Sequence, residues 1–582
     1  MSKAGIAQRC AVASATTMLS LSLGLAAAPA QAKSVAVNVA DYDALTDEQL
    51  GVSNYVVHIA TQPTGEWYGM GITSYQGGDE GYRWQIGFWL QPLGITQYRL
   101  PAYRELYRES FEGFVAKMAH RDTWSFWLDT SVGNKLRGTY GALGRTTPTA
   151  DPIIHDNINY SANLLGLMTM HEMFYRNGKY LAPASFVLKR WTQEGVEAFV
   201  YDMPKVAHAI AAGFKETGGR GVACEVSGIY PAYCNQLAML ALTQYDQVVP
   251  GKLGADTIAH HRAVWSETSD LYRMDAHAGH GEHARKDLFL PQAYYVHNGE
   301  QVDWGNTLMM SVPYLNAWYP KYVDQNYDFW KGTFPVDANG TMRFVPTGAE
   351  VRDSKGARVA RNRDEDERAA LAKLPEAQRP GHAETGETPN FVYYSSLGAA
   401  ERGDQAFLSA IRNSAAKNGN VPTWHGIEFF YDHNDEAGDA RMSRGGSSLM
   451  TASYLVVKDG YRTLYNQPWS QDVLNSPQIE EIAWPGVLVR RATYDKAKGA
   501  LVFTLLNSGS LNKQRGPAVD TEFAVAQLDP AKSYLVTRDG KALGRVSGDK
   551  ISDNSGELSW RDSRLMIKAT LNGDSSYIVQ AQ

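Results

Sequence analysis

From about Tyr42 to Tyr465 the apolar residues recur at helical spacing, in segments separated by short polar turns. The stretch YSANLLGLMTMHEMFYRNGKYLAPASFVLKRW reads as one helix, a turn at Asn177-Gly178 and a second helix. FVYYSSLGAAERGDQAFLSAIRN repeats the arrangement, with its turn at Gly403-Asp404. Glycine stands at both places where a helix C-cap needs positive φ. Repeated hairpins of this kind predict a mainly α architecture, a closed (α/α)6 toroid or barrel; a plain bundle or solenoid is the other arrangement the pattern allows. Between Glu350 and Thr388 the pattern breaks. RVARNRDEDERAALAKLPEAQRPGHAETGE is polar and charge-dense, and reads as an inserted loop or a short solvated helix.

After about Ala483 the period changes. VLVRRATYD, ALVFTLLN, EFAVAQL, SYLVTRDG, RLMIKATL and SYIVQAQ read as strands, with turn signals at Lys498-Gly499, Asp539-Gly540 and Asn572-Gly573. They predict a C-terminal antiparallel β-sandwich. The N-terminus reads as a secretory signal peptide. Lys3 and Arg9 supply its charge, Met18, Leu19, Leu21, Leu23 and Leu25 its apolar run, and Ala30-Gln31-Ala32 follows Pro29 as a cleavage pattern. An uncleaved anchor is the alternative, but the run is short of a good spanning segment. The expected organisation is a signal peptide at 1–32, a barrel domain at 33–482 with a charged insertion at about 350–388, and a β-sandwich domain at 483–582. The expected product is periplasmic or secreted, with no membrane span after cleavage.

Composition narrows the function classes. Of 582 residues, 20% are charged and 44% hydrophobic, which is ordinary for a globular protein. A net charge of -6 gives no electrostatic footprint for nucleic acid or an anionic membrane. No nucleic-acid partner is expected.

Cysteine use is the sharpest chemical signal. Cys10 lies in the signal segment, so Cys224 and Cys234 would be the whole thiol content after cleavage. Both stand in GVACEVSGIYPAYCNQLAML, with Glu225 beside the first. Their spacing matches neither a zinc ribbon nor a Cys-x-x-Cys redox motif. An oxidising compartment favours a disulfide. Equally, a tuned thiol beside a carboxylate can transfer protons. Cys234-Asn235 opens a helix carrying Leu237, Leu240 and Leu242, and a helix N-terminus favours thiolate.

Other groups offer weaker signals. In DNINYSAN, Asn159 and Asn163 are one helical turn apart and share a face with Tyr160 beside it; capping and polar surface would use the same residues. Trp67, Tyr68, Trp84, Phe88, Trp89, Trp124 and Trp127 can wall a pocket or fill a core. His277, His280 and His283, with Glu282, lie close together, but in no zinc spacing. His425, Glu428, Tyr431, Asp432 and His433 include a pair of carboxylates of the kind glycosidases use. No metal site is expected.

GVACEVSGIYPAYCNQLAMLALTQYD resembles the Cys-Glu…Cys-Asn segment of the linalool dehydratase/isomerase family. RWQIGFWLQPLGI, FVAKMAHRDTWSFW, DNINYSANLLGLMTMHEMFYRNGKY, the Tyr295 to Trp318 stretch and AAERGDQAFLSAI are similar to family segments and stand in family order. The likeness spans about Asn54 to Val457, without the charged insertion or the C-terminal strands. It implies an (α/α)6 barrel, export, no cofactor, a small-molecule substrate, and removal or migration of the hydroxyl of a tertiary allylic alcohol. It also implies catalytic roles for Cys224, Glu225 and Cys234, and a ring-shaped homo-oligomer. Tyr68, Trp84, Asn159, Asn163 and Tyr230 become the candidate substrate-binding residues. The family's pocket histidine falls on Asn163, the methionine one turn earlier on Asn159, and a pocket aspartate on Val57, next to His58. One residue is inserted between the cysteines. These departures point to a more polar substrate. The competing reading is a periplasmic carbohydrate-active enzyme, a glycoside hydrolase or polysaccharide lyase; a non-catalytic binding protein is the third.

Overall fold

The computed structural model describes residues 36–70, 81–136, 149–224, 228–274, 289–296, 298–303, 308–336, 338, 340–342, 350–352, 354–359, 389–432, 442–513 and 516–582. Helices dominate as far as Leu474. They are α1 (Asp47–Thr61), α2 (Tyr82–Arg99), α3 (Glu105–Ala119), α4 (Arg121–Trp124), α5 (Trp127–Leu136), α6 (Ile158–Tyr175), α7 (Met203–Glu216) and α8 (Cys234–Val248). Then come α9 (Leu253–Thr268), α10 (Val312–Trp318), α11 (Pro320–Lys331), α12 (Pro389–Tyr394), α13 (Ser396–Glu401), α14 (Gln405–Lys417), α15 (Arg444–Ala452), α16 (Gly460–Leu464) and α17 (Gln471–Leu474).

The packing runs in a closed circuit. Helix α2 packs on α6, α6 on α8, α8 on α10, α10 on α13, α13 on α15, and α15 returns to α2. Helices α3, α7, α9, α11 and α14 pack against members of this circuit. Burial explains the division: every residue of α6 from Ile158 to Phe174 is buried, whereas α7 and α14 bury one face only.

Local chemistry sets the ends. Thr46 and Gln49 form a capping box at the start of α1. Asp404 caps α14 by accepting from Phe407 N at 3.0 Å, directly after Gly403 at φ 65°. Helix α6 ends at Arg176, which is left-handed, with Gly178 at φ 72° two residues on. The turn at Asn177-Gly178 is therefore where the pattern put it, but the chain beyond it forms strands instead of a second helix. Phe186–Thr192 (β1) and Gly195–Tyr201 (β2) form an antiparallel hairpin. Phe186, Leu188 and Tyr201 are buried, while Lys189, Trp191, Val196, Ala198 and Val200 are exposed. That period-two alternation of β-branched and aromatic residues overrides the helical reading.

A second departure is a five-stranded sheet inside the helical region. It orders β3 (Gly228–Ile229), β4 (Ala293–Tyr295), β5 (Gln301–Asp303), β6 (Glu350–Arg352) and β7 (Arg358–Val359). The charged insertion thus opens with two strands rather than a loop or helix. Residues 360–388 lie outside the described residues. A small hairpin, β8 (Pro422–His425) with β9 (Glu428–Tyr431), turns at Gly426.

Beyond Leu474 the chain is antiparallel sheet. One sheet orders β10 (Gln478–Glu480), β13 (Val519–Ala526), β18 (Arg564–Leu571) and β17 (Leu558–Arg561). The other orders β11 (Val487–Asp495), β12 (Ala500–Asn507), β19 (Asp574–Ala581), β14 (Ser533–Arg538), β15 (Lys541–Ser547) and β16 (Lys550–Ser552). Asp539 and Gly540 both have positive φ in the tight turn between β14 and β15. Phe503 and Tyr577 of one sheet meet Phe523 of the other at 5.7 and 5.4 Å between ring centroids.

The buried His171 of α6 faces Glu112 of α3 at 3.1 Å, and Lys179 approaches the same carboxylate at 2.7 Å. The His171 hydrogen bond, aided by Lys179, pulls the Glu112 carboxyl down to about 2. A depressed carboxyl stabilises the fold above its unfolded value near 4.5 and loses that contribution as pH falls towards 2. The full shift discounted for solvent exposure leaves roughly 2 kcal/mol. Glu112→Gln is expected to unfold at lower urea at pH 7, with the gap from the parent more than halved at pH 3.

Candidate active site at the starts of the inner helices

Helices α2, α6, α8, α10 and α15 of the circuit begin at one common end. Gly87 of α2 lies against Asn163 of α6, and Gly94 against Met170, so the two helices run parallel. The 221–224 segment holds the starts of α6 and α8 together. Ile158 N donates to Ala223 O at 3.1 Å. Asn235 accepts from Val222 N at 2.9 Å and donates to Val222 O at 3.0 Å. Ser311, before α10, bonds Ala232, before α8. Arg444 of α15 reaches Met70 O at 3.4 Å, in the segment that leads to α2. Parallel helices direct their N-terminal dipole ends to this same end, which favours negative charge there.

Cys224 and Cys234 form a disulfide at this end, with Cα atoms 6.3 Å apart. Both are buried. In that state neither sulfur carries a proton to give or a thiolate to accept one. Cys224 N donates to Gly228 O at 2.9 Å, closing a small strap. Glu225 lies in this strap, outside the described residues.

Around the disulfide the structure brings several predicted residues together. Trp84 is buried and stacks on Tyr233, beside Cys234, at 5.5 Å. Phe88, one turn further along α2, meets Trp84 at 5.7 Å. Asn163 donates to Arg83 O at 3.2 Å, and the absence of a side chain at Gly87 lets its amide lie on α2. Asn157, which the sequence pattern does not single out, pairs with Cys224 through the backbone. Asn157, Asn159 and Asn163 are all at most 1% exposed. Among the described residues, no partner meets either side-chain atom of Asn157 or Asn159, nor Oδ1 of Asn163. Unmet buried amides cost about 1–3 kcal/mol each, so they are informative.

Other predicted residues stand apart. Tyr230 is half-buried and packs beside Ala293, Val302 and Tyr295 of the small sheet. Tyr68 is 59% exposed, its hydroxyl 3.4 Å from His425 Nδ1. Trp89, Trp124 and Trp127 are core. Trp67 stacks on Tyr82 at 4.0 Å, and Lys117 donates to Pro63 O and Glu66 O beneath it at 3.2 and 2.6 Å. Burial pulls Lys117 down to about 8. The His277, His280 and His283 loop and His433 lie outside the described residues. Among the described residues no three His, Cys, Asp or Glu side chains gather as a metal site, and no helix is long and apolar enough to cross a membrane.

One pair has no signature in the sequence at all: His58 Nδ1 meets Glu428 Oε1. They are 370 positions apart in the chain, and no local pattern announces such a partner.

A family model for linalool dehydratase/isomerase matches residues 83–437, more than half of the chain. The chain belongs to the linalool dehydratase/isomerase family. The match contains Trp84, Asn159, Asn163, Cys224, Glu225, Tyr230 and Cys234, but begins after His58 and Tyr68. No curated protein matches. Among solved structures, an unsaturated glucuronyl hydrolase from Bacillus sp. GL1 is 11% identical, with a TM-score of 0.38 over 73% of this chain and 99% of its own. A GH127 β-arabinofuranosidase is 9% identical, with a TM-score of 0.27 over 92% of this chain and 76% of its own.

Proposed function

We propose that this protein is an exported, cofactor-independent hydro-lyase or isomerase that removes or moves the hydroxyl of an alkenol or terpenoid-like substrate more polar than linalool. We assign it an (α/α)6 barrel at 33–482 and a β-sandwich at 483–582, behind a signal peptide at 1–32, with a periplasmic or secreted location and a homo-oligomeric assembly. The observation that carries the reading is the family match across the segment that holds the disulfide, Trp84, Tyr233 and the three buried asparagines.

In this reading Glu225 protonates the departing hydroxyl, and a base takes a proton from the neighbouring carbon. The C–H pair becomes the new π bond, and the C–O pair leaves with water. Cys224, with Cys234 as second thiol, can serve as that base only when the disulfide is reduced. The face of Trp84 stabilises positive charge developing at the carbinol carbon, and Tyr68 would meet the substrate's exposed end. Asn159, Asn163 and Tyr230 orient the substrate, and the unmet amides are what a further hydroxyl or carbonyl would satisfy.

The test is turnover of tertiary allylic alcohols, plain and oxygenated, by the purified full-length protein with and without reductant. Alkene, rearranged alcohol and water are the expected products. Cleavage of oligosaccharides with all alcohols left intact would replace this reading by the carbohydrate-active one.

A further inference from the structure

Helix α6 begins with hydrogen-bond donors that the fold leaves unused. Its first internal bond is Ser161 N to Asn157 O at 3.2 Å. The N–H groups before that bond have no partner inside the helix. Ile158 N is served by Ala223 O at 3.1 Å. Among the described residues no backbone carbonyl meets the N–H of Asn159 or Tyr160. Both residues are buried, where backbone donors are almost always paired.

The cap residue sharpens the shortage. An asparagine at this position ordinarily accepts from one of those two N–H groups. Asn157 makes no such bond. Its amide is buried with neither atom met among the described residues, and the amide of Asn159 is in the same state. A buried cap that neither caps nor meets another group has the chemistry of a site that awaits a ligand.

This helix start adjoins the disulfide through contacts of its own. Asn157 pairs with Cys224 through the backbone. Asn163, one turn past Asn159, donates to Arg83 O in the first turn of α2 at 3.2 Å.

The electrostatics favour a negative ligand. Every residue of α6 from Ile158 to Phe174 is buried, so water screens its positive dipole end little. Arg83 in α2 and Arg444 in α15 are buried in the first turns of their helices. The Arg83 guanidinium lies 3.9 Å from the centroid of the Phe126 ring, and the charge of Arg444 reaches the phenol of Tyr82. Asp156, buried beside the cap, is the adjoining acid.

A carboxylate suits these donors, because its two oxygens can accept from backbone N–H groups and amide Nδ2 groups together. The amide oxygens need a donor, which a carboxylate lacks and a hydroxyl on the same molecule supplies. We propose that the start of α6 binds a carboxylate of the substrate, through the backbone N–H groups of Asn159 and Tyr160 and the amides of Asn157 and Asn159, so that the substrate is a hydroxy acid. That the bound hydroxy acid is the substrate rests on the lyase reading; the anion site stands on the helix start itself.

The experiment is isothermal titration calorimetry on the full chain. The probes share one tertiary allylic alcohol and end in a carboxylate, a primary amide or a methyl group. The parent is expected to bind the acid roughly 10–100-fold more tightly than the other two, the range for hydrogen bonds to a charged group. Asn157→Asp and Asn159→Asp, checked for folding by circular dichroism, place a like charge against the ligand. Each should weaken the acid by at least about tenfold, while the amide keeps its affinity or gains. Asn157→Gly, a change that a cap position tolerates, removes one donor and should weaken the acid in the same direction even if the aspartate variants do not fold. Acid bound no better than amide by the parent, or acid affinity unchanged in every folded variant, overturns the inference; turnover of the plain alcohol then leaves the lyase reading intact. Tight, variant-sensitive acid binding with none of the probes turned over keeps the anion site and sinks the lyase reading.

Discussion

Arg104→Met is expected to loosen the join between the helices and the C-terminal sheets by about 3 kcal/mol, since charge-assisted hydrogen bonds to buried carbonyls are lost together. Arg104 is 7% exposed and makes five hydrogen bonds. Nε donates to Pro101 O at 2.9 Å, Nη1 to Leu474 O at 2.7 Å, and Nη2 to Val473 O, Ser476 O and Ser476 Oγ at 2.7, 3.0 and 3.1 Å. Burial lowers the guanidinium to about 10, so it keeps its charge at neutral pH. Methionine fills a similar volume but donates nothing, so the carbonyls of 474 and 476 lose the guanidinium, while Val473 O keeps Ser476 Oγ at 2.7 Å. Lysine is expected to recover little, because one ammonium cannot span the acceptors a planar fork reaches. The neighbouring register would weaken too, since Ala102 O accepts from Ile479 N at 2.8 Å, at the first strand of the sheets. Limited proteolysis around residues 470–480 reads this directly. Cleavage tracks the open population when reclosing is fast, so the rate should rise roughly a hundredfold or more. A rise below about threefold would mean the sheets are held by their apolar contacts, with Arg104 incidental.

Arg104 also illustrates what sequence could not disclose. The C-terminal strands were legible because each alternates and is bounded by turn residues whose φ is indeed positive, at Gly499, Asp539, Gly540 and Gly573. The Gly403-Asp404 turn was legible because a C-cap glycine and an N-cap aspartate are local signals. So was the segment around the cysteines, since composition isolates it. The β1–β2 hairpin was misread because its apolar residues also suit a helix, and only exposure distinguishes the two. Arg104 with Ser476, and His58 with Glu428, are pairs some 370 positions apart. Closing a chain onto itself creates such partners, and no periodicity along the chain encodes them. The buried asparagines fall between these cases. The helix face shared by Asn159 and Asn163 was readable, but not that both would be buried, with no partner among the described residues for the Asn159 amide or for Oδ1 of Asn163.

The site therefore divides into a buried part and a rim. The amides, Trp84 and the disulfide lie where parallel helices start, and their positions are set by helix packing that tolerates little movement. Tyr68, His425 and the His58 ring lie on the exposed side, on a connecting segment, a hairpin and the last turn of α1. Such a division suits a reaction in which the core fixes one end of a substrate and the rim handles protons exchanged with water.

Glu225→Gln is expected to lower kcat on the alcohol substrate by roughly 10²–10⁴-fold, the range for loss of a positioned acid or base. Glutamine keeps the shape and can accept a hydrogen bond, but has no proton to give to a departing hydroxyl. KM should move little, since binding in this reading falls to Trp84, Asn159 and Asn163. The cysteines provide the control. The Cys224–Cys234 bridge closes a short loop, and chain entropy assigns it about 3 kcal/mol. If the bridge only braces the strap, replacing both cysteines by alanine lowers the melting temperature and leaves most of kcat at temperatures where the protein is folded. If a thiol is the base, kcat collapses with the double replacement, and the parent needs reductant to turn over at all. The two patterns differ in a single comparison, parent against double variant with and without reductant. Glu225→Gln retaining more than about a tenth of kcat would remove the carboxyl from the chemistry in either case.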